Sequence, residues 1–436
     1  MSEPWSRESR EQQDNPQASA DRPGSMFTGA SNFTMLNSQF QAATTINNYN
    51  TWNLNTNDVS AIRKWLKAPD PSTNYVAACD KRTPGTGDWI FSHPQFVKWS
   101  QSTFGLLWIQ GKVGSGKTFL LTAIIQKLKA NPALLCCYYY FDNRDNSQSK
   151  TNARGLLQSL LLQMATRNEG THPALHELYT TCMQGLMEPT TAELSATLAV
   201  VSKDLSPLHL VLDAMDECSE AIDVFEHLAF LKGNLCIAVT SRYLADAVYG
   251  ASWHIHLDNM QSAFHQDVAK YLQEKFKDRK LKPELLTEVV DHLTQGAQGQ
   301  FRWVDCQVIV LQKCATPKAI WEALKKLPKT LEETYTLAFT RMKESEHVTD
   351  ILAVDLEVQI FDPELRSLEL KNRIYDILDS TLITVSVKKT YSGSVQDEIV
   401  QLAHNSVKEF LTQIQATSKL FKIDEELAHS AIWNIA

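Results

Sequence analysis

Residues 111–118 read Gly-Lys-Val-Gly-Ser-Gly-Lys-Thr, a spacing of glycines, one lysine and one hydroxyl that suits a polyphosphate. Gly111, Gly114 and Gly116 let the backbone close around phosphate oxygens. The amides of Val113, Ser115 and the helix start that follows then point at the anion. Lys117 adds a point charge for the β- and γ-phosphates, and Thr118 a hydroxyl for Mg²⁺. Asp213 ends the apolar run 208–213, where a carboxylate beside such a loop can hold the water shell of the metal. Asp216 and Glu217 follow one turn later, placed to polarise a water for attack on the γ-phosphate, with Asp216 the first candidate and Glu217 the second. Arg242 closes the Thr-Ser-Arg run 240–242, and its guanidinium suits a test of whether a γ-phosphate is present. Each side chain also has a plainer reading: a strand-end arginine in solvent, surface acids capping the next helix, a glycine-rich turn.

A phosphate cradle needs a strand before it and a helix after it. The apolar run 106–110 and the helical pattern 119–128 supply both. Further strand-like runs lie at 134–141, 208–213 and 235–240, with a helix at 156–164. Near-continuous apolar strands alternating with helices describe an α/β fold, a parallel sheet in a three-layer αβα arrangement. Upstream, an amphipathic helix from Asp58 sets Ile62, Trp65 and Leu66 on one face and stops at Pro69 and Pro71. A loop at 82–89 and a short helix around Phe96 and Trp99 lead into the cradle strand. Beyond Leu257 the pattern is helical, at 264–276, 283–293, 301–311, 317–324 and 331–342. The runs 382–387 and 399–403 then read as a hairpin around 391–394, and a helix follows from Ser406.

A chain of 436 residues can hold two or three domains. Its 42 basic and 50 acidic side chains are scattered, which argues against a nucleic-acid surface. No run has the apolar length of a membrane helix and the N-terminus lacks a signal-like core, so a cytoplasmic protein without membrane partners is expected. The eight cysteines show neither disulfide nor zinc spacing, and the twelve histidines no ligand spacing. Reduced thiols are expected, and no metal beyond nucleotide-borne Mg²⁺. Residues 1–25 have a disordered composition. The stretch 26–57 carries no charge, and its Asn, Thr and Gln with spaced aromatics suit either β-stacking or a flexible tail.

Taken together, the cradle, the Leu-Val-Leu-Asp-Ala-Met-Asp-Glu-Cys run at 210–218 and the Thr-Ser-Arg run at 240–242 resemble the NACHT class of signal-transducing P-loop NTPases. More narrowly, they resemble fungal NOD-like-receptor (STAND) proteins whose nucleotide domain is nephrocystin-3-like. Trp-Leu-Lys-Ala-Pro-Asp at 65–70 and the 82–89 loop are similar to that family's lead-in, and the segments 299–303, 327–335 and 402–410 to its helical and winged-helix parts. The resemblance covers about 58–420. Composition sets off a disordered, Asn/Thr/Gln-rich tail at 1–57, and the resemblance implies a helical lead-in at 58–105, a P-loop NTPase domain at 106–258, a helical domain at 259–345 and a truncated winged-helix-like region at 346–436. It further implies a slow ATPase that acts as a switch with Mg²⁺: ADP holds a closed monomer, and ATP permits a homo-oligomer that engages a downstream effector protein. His404 resembles the winged-helix histidine that reaches the ADP phosphates, where charge and hydrogen bonding would favour the closed state. The family's proline against adenine is absent at Gly299-Gln-Phe301.

Two departures suggest a truncated member or a mis-joined exon: no repeats precede Ala436, and residues are missing around Leu352–Ala353. A nucleotide-binding adaptor that does not hydrolyse, signalling through 26–57, is the alternative function. A small-molecule phosphotransferase shares the cradle but would need an arginine-rich lid, which the region after Leu257 lacks.

Overall fold

The computed structural model describes residues 56–144, 149–167, 170–205, 207–229, 231, 235–242, 252–279, 281–344, 381–389 and 396–417. The uncharged stretch through residue 55, the junction at 352–353 and the hairpin tip at 391–394 lie outside them.

Helices α1 (Thr56–Leu66), α2 (Ser72–Lys81) and α3 (Pro94–Gln101) precede strand β1 (Gly105–Gln110). The chain continues through α4 (Lys117–Lys129), β2 (Leu135–Tyr140), α5 (Ala153–Ala165), the short β3 (Thr166–Arg167) and β4 (Gly170–Thr171), α6 (Pro173–Thr181) and α7 (Thr191–Lys203). Then come β5 (Leu208–Asp213), α8 (Ala221–Ala229), β6 (Leu235–Ser241) and β7 (Trp253–His256). The five longer strands form one sheet in the order β2-β5-β6-β1-β7, every pairing parallel.

Strands buried on both faces need apolar residues at every position, and alternation then divides them between two cores. Trp108, Tyr139, Leu210 and Val239 point to the side covered by α1 and α5–α8. Ile109, Tyr140, Val211 and Ala238 point to the side covered by α3 and α4. The expected three-layer α/β architecture is therefore present. A parallel strand order also leaves two edges, and one is closed by a side chain. Gln163 of α5 donates to the Tyr138 carbonyl at 2.9 Å and accepts from the Tyr138 amide at 3.1 Å, filling the outer side of β2 as a strand residue would.

α5 runs close under β2. A Cβ built on Gly155 would lie 1.8 Å from the Ser149 carbonyl oxygen, which itself accepts from the Tyr139 hydroxyl at 3.1 Å. Gly155→Ala is expected to lower stability by about 2 kcal/mol or more, read from urea unfolding of the full chain, because backbone must move to admit the methyl group.

After β7 the chain is helical as expected: α9 (Gln261–Phe276), α10 (Pro283–Ala297), α11 (Phe301–Gln312), α12 (Pro317–Leu324) and α13 (Leu331–Glu344). Their inner faces share a separate core that includes Val268, Leu293, Val304 and Tyr335. A hairpin of β8 (Ile383–Lys389) and β9 (Gln396–Leu402) leads into α14 (Asn405–Thr417), whose Val407 and Phe410 join that core. The expected hairpin and the helix after it are both present.

Candidate nucleotide site

The loop between β1 and α4 holds its shape through glycine. Gly114 (φ 72°) and Gly116 (φ 90°) take left-handed backbone that other residues adopt only with strain. Lys117 opens α4, and its ammonium folds back onto the carbonyls of Gly111 (2.8 Å) and Lys112 (2.9 Å). Burial pushes the Lys117 pKa down, against the pull of Asp216 and Asp213. The Ser115 hydroxyl is buried and makes no hydrogen bond with the protein. Open backbone, a lysine at the loop and an unpaired buried hydroxyl fit a phosphate chain.

Beside this loop, β5 ends at Asp213, which is fully buried. It accepts from the hydroxyls of Thr240 and Thr118; burial raises its pKa, and those bonds and Lys117 work the other way. Ala214 then takes a left-handed conformation (φ 55°), strained for a residue with a Cβ. That turn starts the single 3₁₀ turn Met215–Glu217 and carries Asp216 and Glu217 over the same sheet edge.

The two acids have different partners. Asp216 accepts from the Arg242 amide at 3.0 Å and pairs with its Nε at 2.7 Å, so both oxygens serve to fix that arginine. Glu217 accepts from the Asn143 amide at 3.0 Å and from Asn405 Nδ2 at 2.8 Å. Burial raises its pKa to about 7, Asp142 adds to this, and the Asn143 amide and Arg144 oppose it. Arg242 also pairs through Nη2 with Glu409 of α14.

Residues 85–242, which run from the lead-in loop to Arg242, match the family model "Nephrocystin 3, N-terminal". This stretch is similar to the nephrocystin 3 N-terminal family. Over 354 residues the chain is 25% identical to the vegetative incompatibility protein HET-E-1 of Podospora anserina, a match spanning 74% of this chain. It spans 26% of that protein, about a quarter of its length. The expected kinship with fungal NACHT-type NTPases is borne out by these two matches. Among solved structures, Cdc6p of Pyrobaculum aerophilum is 12% identical with a TM-score of 0.38, covering 77% of this chain and 94% of that one. The Walker-type ATPase PABY2304 of Pyrococcus abyssi is 13% identical with a TM-score of 0.35, covering 73% and 93%. Both likenesses are distant, and the fold rests on the sheet described above.

The helical unit reaches the nephrocystin-3-like domain at the β1–α4 loop, and the C-terminal corner reaches it just after β2, β5 and β6. The Arg302 amide donates to the Gly114 carbonyl at 2.9 Å, and Gln300 Nε2 to the Val113 carbonyl at 3.3 Å. A Cβ on Gly114 would lie 2.8 Å from that of Arg302, so glycine is needed for the close approach as well as for φ. From the corner, Lys408 donates to the Asn143 carbonyl at 2.8 Å, and Arg144, paired with Asp142, reaches the Leu402 carbonyl at 3.5 Å.

His404 lies within this seam. Its Nδ1 accepts from the Ser406 amide at 3.1 Å and bonds the Ser406 hydroxyl at 2.7 Å, which contacts the Tyr335 hydroxyl at 2.8 Å. An accepting Nδ1 leaves the proton on Nε2. Burial first, then the charges of Arg302, Arg144, Lys117 and Arg242, hold its pKa down at about 3. With Nδ1 turned to Ser406, His404 has Nε2 left as its donor, and burial with four cationic side chains disfavours a second proton on the ring. Asn143, Arg302, Asn405 and Glu409 escaped sequence reasoning, since none stands in a phosphate motif. Among the described residues no three-ligand metal cluster occurs, and no helix is long and apolar enough to cross a membrane.

Proposed function

We propose that this chain is a signalling switch driven by ADP–ATP exchange, hydrolysing ATP slowly in the cytoplasm and forming a homo-oligomer that engages an effector protein. The observation that carries this reading is the seam. The residues fit to sense a γ-phosphate or to activate water, Arg242 and Glu217, are bonded directly to α14. An enzyme for simple turnover has no need of such bonds to a distant part of its chain, whereas a switch does.

Lys117, Ser115 and the loop amides bind the phosphates; Val113 is held in place by Gln300. Thr118 and Asp213 would hold Mg²⁺, which when bound supplies charge neutralisation at the β- and γ-phosphates. Glu217 takes the role of water-activating base in preference to Asp216, because Asp216 is paired with the Arg242 guanidinium whereas the hydrogen bonds to Glu217 come from neutral donors. His404 offers its Nε2 proton to an anion in the cradle, where four neighbouring cations already favour one.

Titration calorimetry of the full chain with ADP and with magnesium ATP tests this, combined with light scattering in each nucleotide. Binding of both, with larger particles only in ATP, is expected. Heat from neither nucleotide overturns the site, and one particle size in both overturns the switch.

A further inference from the structure

We propose that Glu409 sets the preference of this site between diphosphate and triphosphate, by occupying Arg242 until a γ-phosphate takes its place. This rests on the reading of Arg242 given above and extends it to the control of the same site.

Arg242 follows β6, and its root is fixed: the amide and Nε both bond Asp216. The outer edge of the guanidinium remains, and there Nη2 meets the Glu409 carboxylate. A guanidinium edge binds a carboxylate and a phosphate by the same geometry, so one excludes the other. The pair is also exchangeable rather than locked, with the two side chains 33% and 35% exposed. A cleft of about 370 Å³ beside it, bordered by Asn143, Asn405, Lys408, Glu409, Thr412 and Gln413, gives a displaced Glu409 room to move.

Charge sets the direction. A γ-phosphate that takes Nη2 of Arg242 must break the Glu409 bond and meets carboxylate repulsion as it arrives. A diphosphate ends one phosphate short and leaves the pair intact. Glu409 therefore penalises the triphosphate alone. Its release would also loosen the first turn of α14, where Asn405, four residues before it, holds the Glu217 carboxylate.

Glu409→Gln keeps the shape and removes the charge. Calorimetry on the full chain should show magnesium ATP binding about two- to fivefold tighter relative to ADP, a modest factor because the pair is partly exposed. ADP affinity should move by less than about twofold. In an Arg242→Ala background the same substitution should change the ratio no further, since the coupling is gone. If Glu409→Gln folds poorly by circular dichroism, Glu409→Ala carries the same test. An ATP-to-ADP ratio equal to wild type, in protein that binds both nucleotides, overturns the role of Glu409 and leaves the proposed function standing. Wild-type protein that binds neither nucleotide overturns the proposed function itself.

Discussion

Lys117→Ala should abolish the rise in melting temperature that nucleotide confers on the wild-type chain. A ligand that binds only the folded state at a hundred times its dissociation constant stabilises by about 2.7 kcal/mol. Lys117 is the one ammonium that the loop itself turns toward its own carbonyls, and burial already weakens its hold on the proton. A phosphate in the cradle would restore that hold, so removing the lysine takes away the counter-charge and the reason for the loop's closed shape together. Melting curves with and without magnesium ATP read the outcome directly. A shift in the variant equal to that of wild type would remove Lys117 from the site.

Glu217→Gln should bind ATP as wild type does and lose hydrolysis by about 10²- to 10⁴-fold, the usual contribution of a positioned base. Asp216→Asn should instead loosen Arg242 and weaken discrimination between nucleotides, because Asp216 holds that arginine at two atoms. The pH profile separates them further. Glu217 must be ionised to accept a proton, and burial places its pKa near 7, so wild-type hydrolysis should climb as pH rises through about 7. Stability runs the other way. The folded chain keeps a proton on Glu217 that the unfolded chain has already lost, so the stabilisation present below the ordinary carboxylate pKa is lost as pH rises toward 7. Glu217→Gln should flatten that slope in denaturant melts across pH 5–8. An unchanged hydrolysis rate would remove Glu217 as the base.

The main sheet was legible because its strands are buried on both faces. The runs at 208–213 and 235–240 are apolar at nearly every position, and the structure places strands at Leu208–Asp213 and Leu235–Ser241. α6, α7 and α8 were not anticipated. In α7 the inward residues are Leu194, Leu198 and Val201, but alanine, serine and threonine between them blur the helical period. β7 escaped for a related reason: it is an edge strand of four residues in which only Ile255 is fully buried and histidines alternate with it. At the site, the cradle and the β5 carboxylate could be read because their chemistry is local in sequence. The different bonding of Asp216 and Glu217 could not. It depends on Arg242, Asn143 and Asn405, up to 188 residues distant, and no spacing rule reaches across that gap.

Gln163 has a consequence for how copies of this chain could meet. Its amide group answers both main-chain valences of Tyr138, so a strand from another molecule finds the middle of that border already occupied. Growth of the sheet by adding a strand along β2 is blocked at that point, whatever the sequence of the incoming segment.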